Sequence, residues 1–174
     1  FLGQTVMDIN LKADKGINFL NLNREDFTLT KKDKEDLLIL QQYPMDYVCM
    51  SFVEDNKLIY ELRKYLIHMG VENIEIIAKI ETLNGYLNLE NILENVFGVM
   101  LGRGDLSKEV EDIDLYKIQK DIIKRLEQSK KYLIVATYIL ENMVRGNKPT
   151  VSELLALSYL LEHNVNCVML ANEV

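Results

Sequence analysis

From residue 32 onward the apolar positions alternate between two periods. KKDKEDLLILQQ (31–42) carries a helical period, with Thr30 placed to cap it and acidic residues early. MDYVCMSF (45–52) is a short β-rich apolar run, and NKLIYELRKYLIHMG (56–70) returns to helical spacing before stopping at Gly70. The same exchange repeats down the chain. NIEIIAKIE, FGVML, YLIVAT and NCVMLAN read as strands; LENILENV, LYKIQKDIIKRLEQS, YILENMV and TVSELLALSYLLEHN read as helices. Five strands therefore alternate with helices, in units of roughly 25 to 35 residues, as βα crossovers require. Their nearly unbroken apolar character implies a parallel sheet covered on both faces. Five strands are too few to close an eight-stranded barrel, so the pattern leaves an open sheet or part of a barrel.

Residues 1–31 behave differently. QTVMDINL and GINFLNL mix short extended pieces with Gly, Asn and Asp and show no helical period, which predicts an extended or β lead-in. The chain opens on Phe1 rather than methionine, so its natural start is expected to lie elsewhere or to have been removed. At 174 residues and 48% apolar it is long enough for one domain with a real core. A formal charge of −7, with both signs mixed along the length, argues against nucleic-acid or anionic-membrane partners, which need a basic patch. No apolar run reaches the ~18 residues of a membrane span. Cys49 and Cys167 sit inside apolar runs without metal-ligand spacing, which predicts buried, reduced thiols and a cytoplasmic setting.

In βα folds ligands gather at the carboxyl ends of the strands. Those ends carry Ser51, then Lys79 with Glu81, then Asp105, Thr137 and Glu173. Lys79 and Glu81 are two apart, so on a strand they project from the same face, where they need each other or a ligand. Glu81 and Asp105, from neighbouring strands, suit a hard divalent cation such as Mg2+, which takes a few carboxylate oxygens and completes its shell with water and substrate. Lys79 beside them adds positive charge where an enolate or phosphate would develop. Gly102 and Gly104 leave the backbone bare, open to an anion.

Each of these residues also has a plainer reading. Asp105 serves equally as a helix cap, Lys79–Glu81 as a structural ion pair, and Thr137 as the cap of YILEN. His68 and His163 fall where helices end, which suits a cation at the C-terminal pole and gives neither a ligand role. The Arg103-Gly104-Asp105 triplet would need an exposed loop tip to be adhesive, and here it follows a buried strand.

Taken in order, LTKKDKEDL, Ser51-Phe52, IIAKIET, GVMLGRGDL, IQKDII, VATYILENM, KPT and VMLANE resemble the catalytic barrel of pyruvate kinase. The likeness covers residues 15–174, and AKIE, RGDL and VAT..LE.M carry most of its specificity. It implies an α/β fold, a partial (β/α)8 barrel of the TIM type supplying the fourth to eighth strands over 32–174. Residues 1–31 then resemble the return from an inserted β-domain. It implies Lys79 as the group that stabilises the pyruvate enolate, and Glu81 and Asp105 as ligands of Mg2+ or Mn2+. Gly104, Asp105 and Thr137 would cradle the substrate carboxylate, Thr137 would also lie near the enolate carbon, and Ser51 with Phe52 would pack beside the metal and lysine. The family reaction passes the phosphoryl group of phosphoenolpyruvate to ADP, giving pyruvate and ATP.

Departures from the family pattern matter as much. The first three barrel strands have no counterpart here, and with them go a phosphate-binding arginine and the K+ site. Ser107 stands where the family has glycine, Tyr138 where it has glutamine, and Ala156 and Tyr159 where it has Asp and Asn. The expectation is a pyruvate-kinase-like fragment that holds the metal and enolate half of a site and is inactive alone, with nucleotide bound only in a complete parent. Two alternatives remain: a degenerate, non-enzymatic interaction module, and a Mg2+-dependent lyase acting through a pyruvate enolate. An open sheet with apolar faces is also expected to self-associate.

Overall fold

The computed structural model, which describes residues 28–146 and 148–170, resolves these periods into five parallel strands and seven helices among the described residues. The strands are β1 (Tyr47–Met50), β2 (Glu75–Ile80), β3 (Gly98–Gly102), β4 (Tyr132–Ala136) and β5 (Cys167–Met169). The longer helices are α1 (Lys31–Leu37), α2 (Asn56–His68), α6 (Asp112–Ser129) and α7 (Val151–Glu162); α3 (Leu83–Leu87), α4 (Leu89–Leu93) and α5 (Arg103–Leu106) are single short turns. The lead-in up to residue 27 and the Glu173 strand end lie outside the described residues.

The sheet order is β1-β2-β3-β4-β5, every neighbour parallel. A doubly wound sheet reverses direction at a switch point. Here the order never reverses, so right-handed crossovers place successive helices on one side only. That is barrel winding, and the ring is left unclosed. The two faces differ accordingly. Ile76, Ala78, Ile80, Val99, Leu101, Leu133 and Val135 point into the main core, against Ile59, Leu62 and Leu66 of α2, Leu89 and Ile92 of α4, and Ile118, Ile122 and Leu126 of α6. Ile77, Met100, Ile134 and Ala136 form a smaller cluster on the inner face, flanked by Phe97, Tyr132 and Cys167. Tyr47, Phe97 and Tyr132 link ring to ring across the amino ends of the strands, with centroids 5.1 and 5.5 Å apart.

Caps account for the helix starts. Thr30 accepts the Asp33 N–H while Asp33 accepts back from Thr30, and Thr150 with Glu153 does the same for α7. Gly70, at φ 72°, follows α2 in the left-handed conformation that ends helices.

Three expectations change. YILENMV forms a 3-10 turn (Glu141–Arg145) rather than a helix, because Thr137, Tyr138 and Leu140 take positive φ and interrupt any regular start. LENILENV contributes only part of a broken pair, α3 and α4, joined at Asn88. Cys49 is exposed and Cys167 half-buried, both free, because the inner face of an unclosed sheet leaves these strand positions uncovered.

Candidate functional site at the strand carboxyl ends

Glu81 emerges from β2 onto the inner face and is 4% exposed, a depth at which an unpaired carboxylate is costly. It is paired on both oxygens. Oε1 lies 2.8 Å from Lys79 Nζ, and Oε2 accepts the Phe52 N–H at 3.0 Å. Lys79 Nζ in turn donates to Ser51 Oγ at 3.0 Å. The alternation of β2 brings Lys79 and Glu81 to one side, and β1 ends so that Ser51 and Phe52 meet them; Phe52 turns there at φ 53°.

The neighbouring strand makes room for this carboxylate. A Cβ on Gly102, the last residue of β3, would stand 2.6 Å from Glu81 Cγ and 2.9 Å from its Oε1. Two residues on, a Cβ at Gly104 would press to 3.3 Å against the Thr137 methyl. The glycines on either side of Arg103 are therefore contact points, one for each adjacent strand end. Gly104 N donates to Thr137 Oγ1 at 2.9 Å, and that hydroxyl donates to Ala136 O at 2.6 Å.

Asp105 is not a cap: Gly102 occupies the N-cap position of α5 and Asp105 lies inside its first turn. Its Oδ1 meets Lys108 Nζ at 2.6 Å. Nor does Thr137 cap a helix, since Leu140 precedes the 3-10 turn. Thr137 holds φ 64°, a left-handed conformation that is strained for a β-branched residue.

What holds it there is Arg103, to which sequence reasoning gave no role. Its guanidinium is buried, donating to Ala136 O at 3.2 Å, to Thr137 O, and to Gln119 Oε1 at 3.1 Å. Burial pulls its pKa down, opposed by Tyr138 and Glu141 nearby. With Arg103 committed inward, the triplet has no exposed arginine to offer a receptor. A long cationic side chain directly after a fully buried strand was the available signal.

Ser107 and Tyr138, two positions where the resemblance expects glycine and glutamine, touch each other. Ser107 Oγ donates to Gly104 O at 3.1 Å, leaving the Tyr138 hydroxyl to donate to it, also at 3.1 Å. The Tyr138 ring lies 5.9 Å below the Arg103 guanidinium. Ala156 and Tyr159 lie on α7, and the Tyr159 ring meets that of His163 at a tilt of 58°, with centroids 4.4 Å apart. His68 ends α2 and His163 caps α7, as their spacing implied.

Among the described residues no cluster of three or more His, Cys, Asp or Glu could hold a metal by protein ligands alone. Two carboxylates from adjacent strand ends, Glu81 seated against Gly102 and Asp105 in the turn that follows, match in kind the donor chemistry of Mg2+, which keeps several waters and takes one or two carboxylates. Among the described residues, no helix is long and apolar enough to cross a membrane.

Comparison with known proteins identifies the family of this sheet. The family described as "Pyruvate kinase, barrel domain" matches residues 3–174. The pyruvate kinase of Clostridium perfringens is 33% identical over 163 residues, covering 94% of this chain and 34% of that protein. Pyruvate kinase of Geobacillus stearothermophilus is 34% identical, covering 94% and 28%, and the chloroplastic isozyme G of Nicotiana tabacum is 32% identical, covering 94% and 29%. The chain thus spans about a third of the length of these curated relatives. On this evidence the chain belongs to the pyruvate kinase family, as a part of its barrel domain.

Proposed function

We propose that this chain is the metal- and enolate-binding half of a pyruvate-kinase-type site. Within a complete barrel that site would transfer the phosphoryl group of phosphoenolpyruvate to ADP, and the chain alone would not turn over. The observation that carries the proposal is buried Glu81, seated against Gly102 and paired with half-buried Lys79, in a chain of this family. In this reading residues 32–174 are the barrel portion and 1–31 the lead-in, in a cytoplasmic, self-associating protein.

Glu81 and Asp105 would hold Mg2+ or Mn2+, which when bound supplies Lewis-acid stabilisation of the substrate oxygens. Lys79, fixed by Ser51 and Glu81, presents its ammonium on the inner face and would offset negative charge growing on an enolate oxygen. Thr137 and the backbone at Gly104 and Asp105 would orient the substrate carboxylate. The Thr137 hydroxyl, now spent on Ala136 O, would have to turn away for a carboxylate to reach the Gly104 N–H. By the resemblance, the arginine for the transferred phosphate and the groups for K+ belong to strands that this chain does not match, and the inserted β-domain would help close over nucleotide.

Titration of Mn2+ by electron paramagnetic resonance, on the chain and on its Glu81→Gln/Asp105→Asn variant, tests the site. We expect binding to be lost in the variant; equal binding by both would refute the assignment. A coupled assay with phosphoenolpyruvate, ADP, Mg2+ and K+ tests the rest, and rapid turnover by the chain alone would overturn the claim that it is only half a site. A binding module without catalysis is the second reading. The Ser107–Tyr138 contact favours it, because it fills the rim beside the carboxylate cradle.

A further inference from the structure

Each carboxylate of the candidate metal pair already has a lysine on it, and the two lysines are not alike. Lys79 is only 24% exposed and is fixed by Ser51 as well as Glu81. Lys108 is 52% exposed, stands just past the end of α5, and reaches back three residues to Asp105 Oδ1 at 2.6 Å. Its own N–H bonds to Asp105 O at 3.0 Å, so the turn itself brings the ammonium onto the carboxylate.

We propose that Lys108 is a built-in competitor for the divalent cation: it pairs with Asp105 in the metal-free chain and must swing away for the metal to bind. The inference rests on the metal reading above. An ammonium and a divalent ion seek the same lone pairs of Oδ1, and an oxygen ligand of Mg2+ must come within about 2.0–2.1 Å of the ion. Seating both would hold a +1 and a +2 charge within a few ångströms of each other. Lys108 is attached by a flexible, solvated stem and gives way; Lys79, held at two points, does not. Lys108 therefore sets the affinity of the site without being one of its ligands, while Lys79 stays in place for the substrate.

The experiment is a Mn2+ titration of the full chain and four variants, read by electron paramagnetic resonance of the free ion with circular dichroism to verify folding. Lys108→Gln is expected to tighten Mn2+ binding about fivefold, the scale of a solvent-exposed ion pair. Lys108→Arg, which keeps the cation, should stay close to the unmodified chain. Lys117→Gln makes the same charge change at another i,i+3 pair, on Asp114, and should also leave affinity unchanged. Glu81→Gln/Asp105→Asn should abolish binding. If the double variant loses Mn2+ but Lys108→Gln binds no more tightly, or no more tightly than Lys117→Gln, the competitor role is refuted and the metal site stands. If the double variant binds like the unmodified chain, or no variant binds at all, the metal site falls and this inference with it.

Discussion

Ser107 and Tyr138 lie far apart in sequence, and the resemblance singles out each of them separately. They share a hydrogen bond beside Gly104. A double-mutant cycle of Ser107→Gly and Tyr138→Gln by urea unfolding should give a coupling energy of about 0.5–1.5 kcal/mol, the scale of a net hydrogen bond. Additive losses would mean that the contact is incidental. Gly102→Ala should destabilise the chain by about 1–3 kcal/mol, because the new methyl must displace a buried, doubly bonded Glu81; unchanged unfolding would show that this pocket has slack. At this scale the sequence disclosed what depends on short spacing. Lys79 and Glu81 were a same-face pair from the period of a strand alone. The Arg103 clamp was hidden because two of its three acceptors are backbone carbonyls more than thirty positions away, in a conformation no local pattern announces.

The elements that the apolar period marked most clearly, α2 and α6, are also those that bury a continuous stripe. The segment YILENMV has apolar residues at helical intervals and still fails as a helix, since Arg103 holds the preceding residues in left-handed turns. Tertiary contacts overrode the local pattern there. In α7 the start is local chemistry. Glu153 accepts the Asn142 and Thr150 N–H groups, and those backbone bonds, Asn142 first, hold its carboxyl below the usual range. A depressed folded-state pKa gives stability that is present above the unfolded pKa and lost as pH falls through the folded one. The difference in melting temperature between the chain and Glu153→Ala should therefore be largest near neutrality and shrink once the pH drops below the ordinary glutamate range. A gap that stays constant down to pH 2 would show that the carboxylate charge is irrelevant to the cap. Thr150→Ala should cost about 1 kcal/mol through the same box.

Across the whole molecule, the unclosed ring leaves apolar surface in several places. Val151, Leu154, Leu155 and Leu161 of α7 are exposed, with Leu160 the helix's single buried residue, and a cleft of 760 Å3 runs beside β1, lined by Leu37, Leu40, Met50 and Leu62 among others. Surface of this kind associates. Light scattering over a dilution series should find a dimer or larger species, and Leu155→Glu with Leu161→Glu should shift it toward monomer. A monodisperse monomer at every concentration would contradict this. The sequential strand order has a separate consequence, for how the chain reaches its structure. Among the described residues every strand meets its partner within a few tens of residues of chain, and no pairing waits for a distant segment. Loop closure is correspondingly cheap at each step, and assembly can grow outward from β2–β3–β4, one βα unit at a time. A ring wound in this way can be cut between units and still leave each piece its own folding nucleus, so five strands of an unclosed ring can hold Lys79 and Glu81 in register.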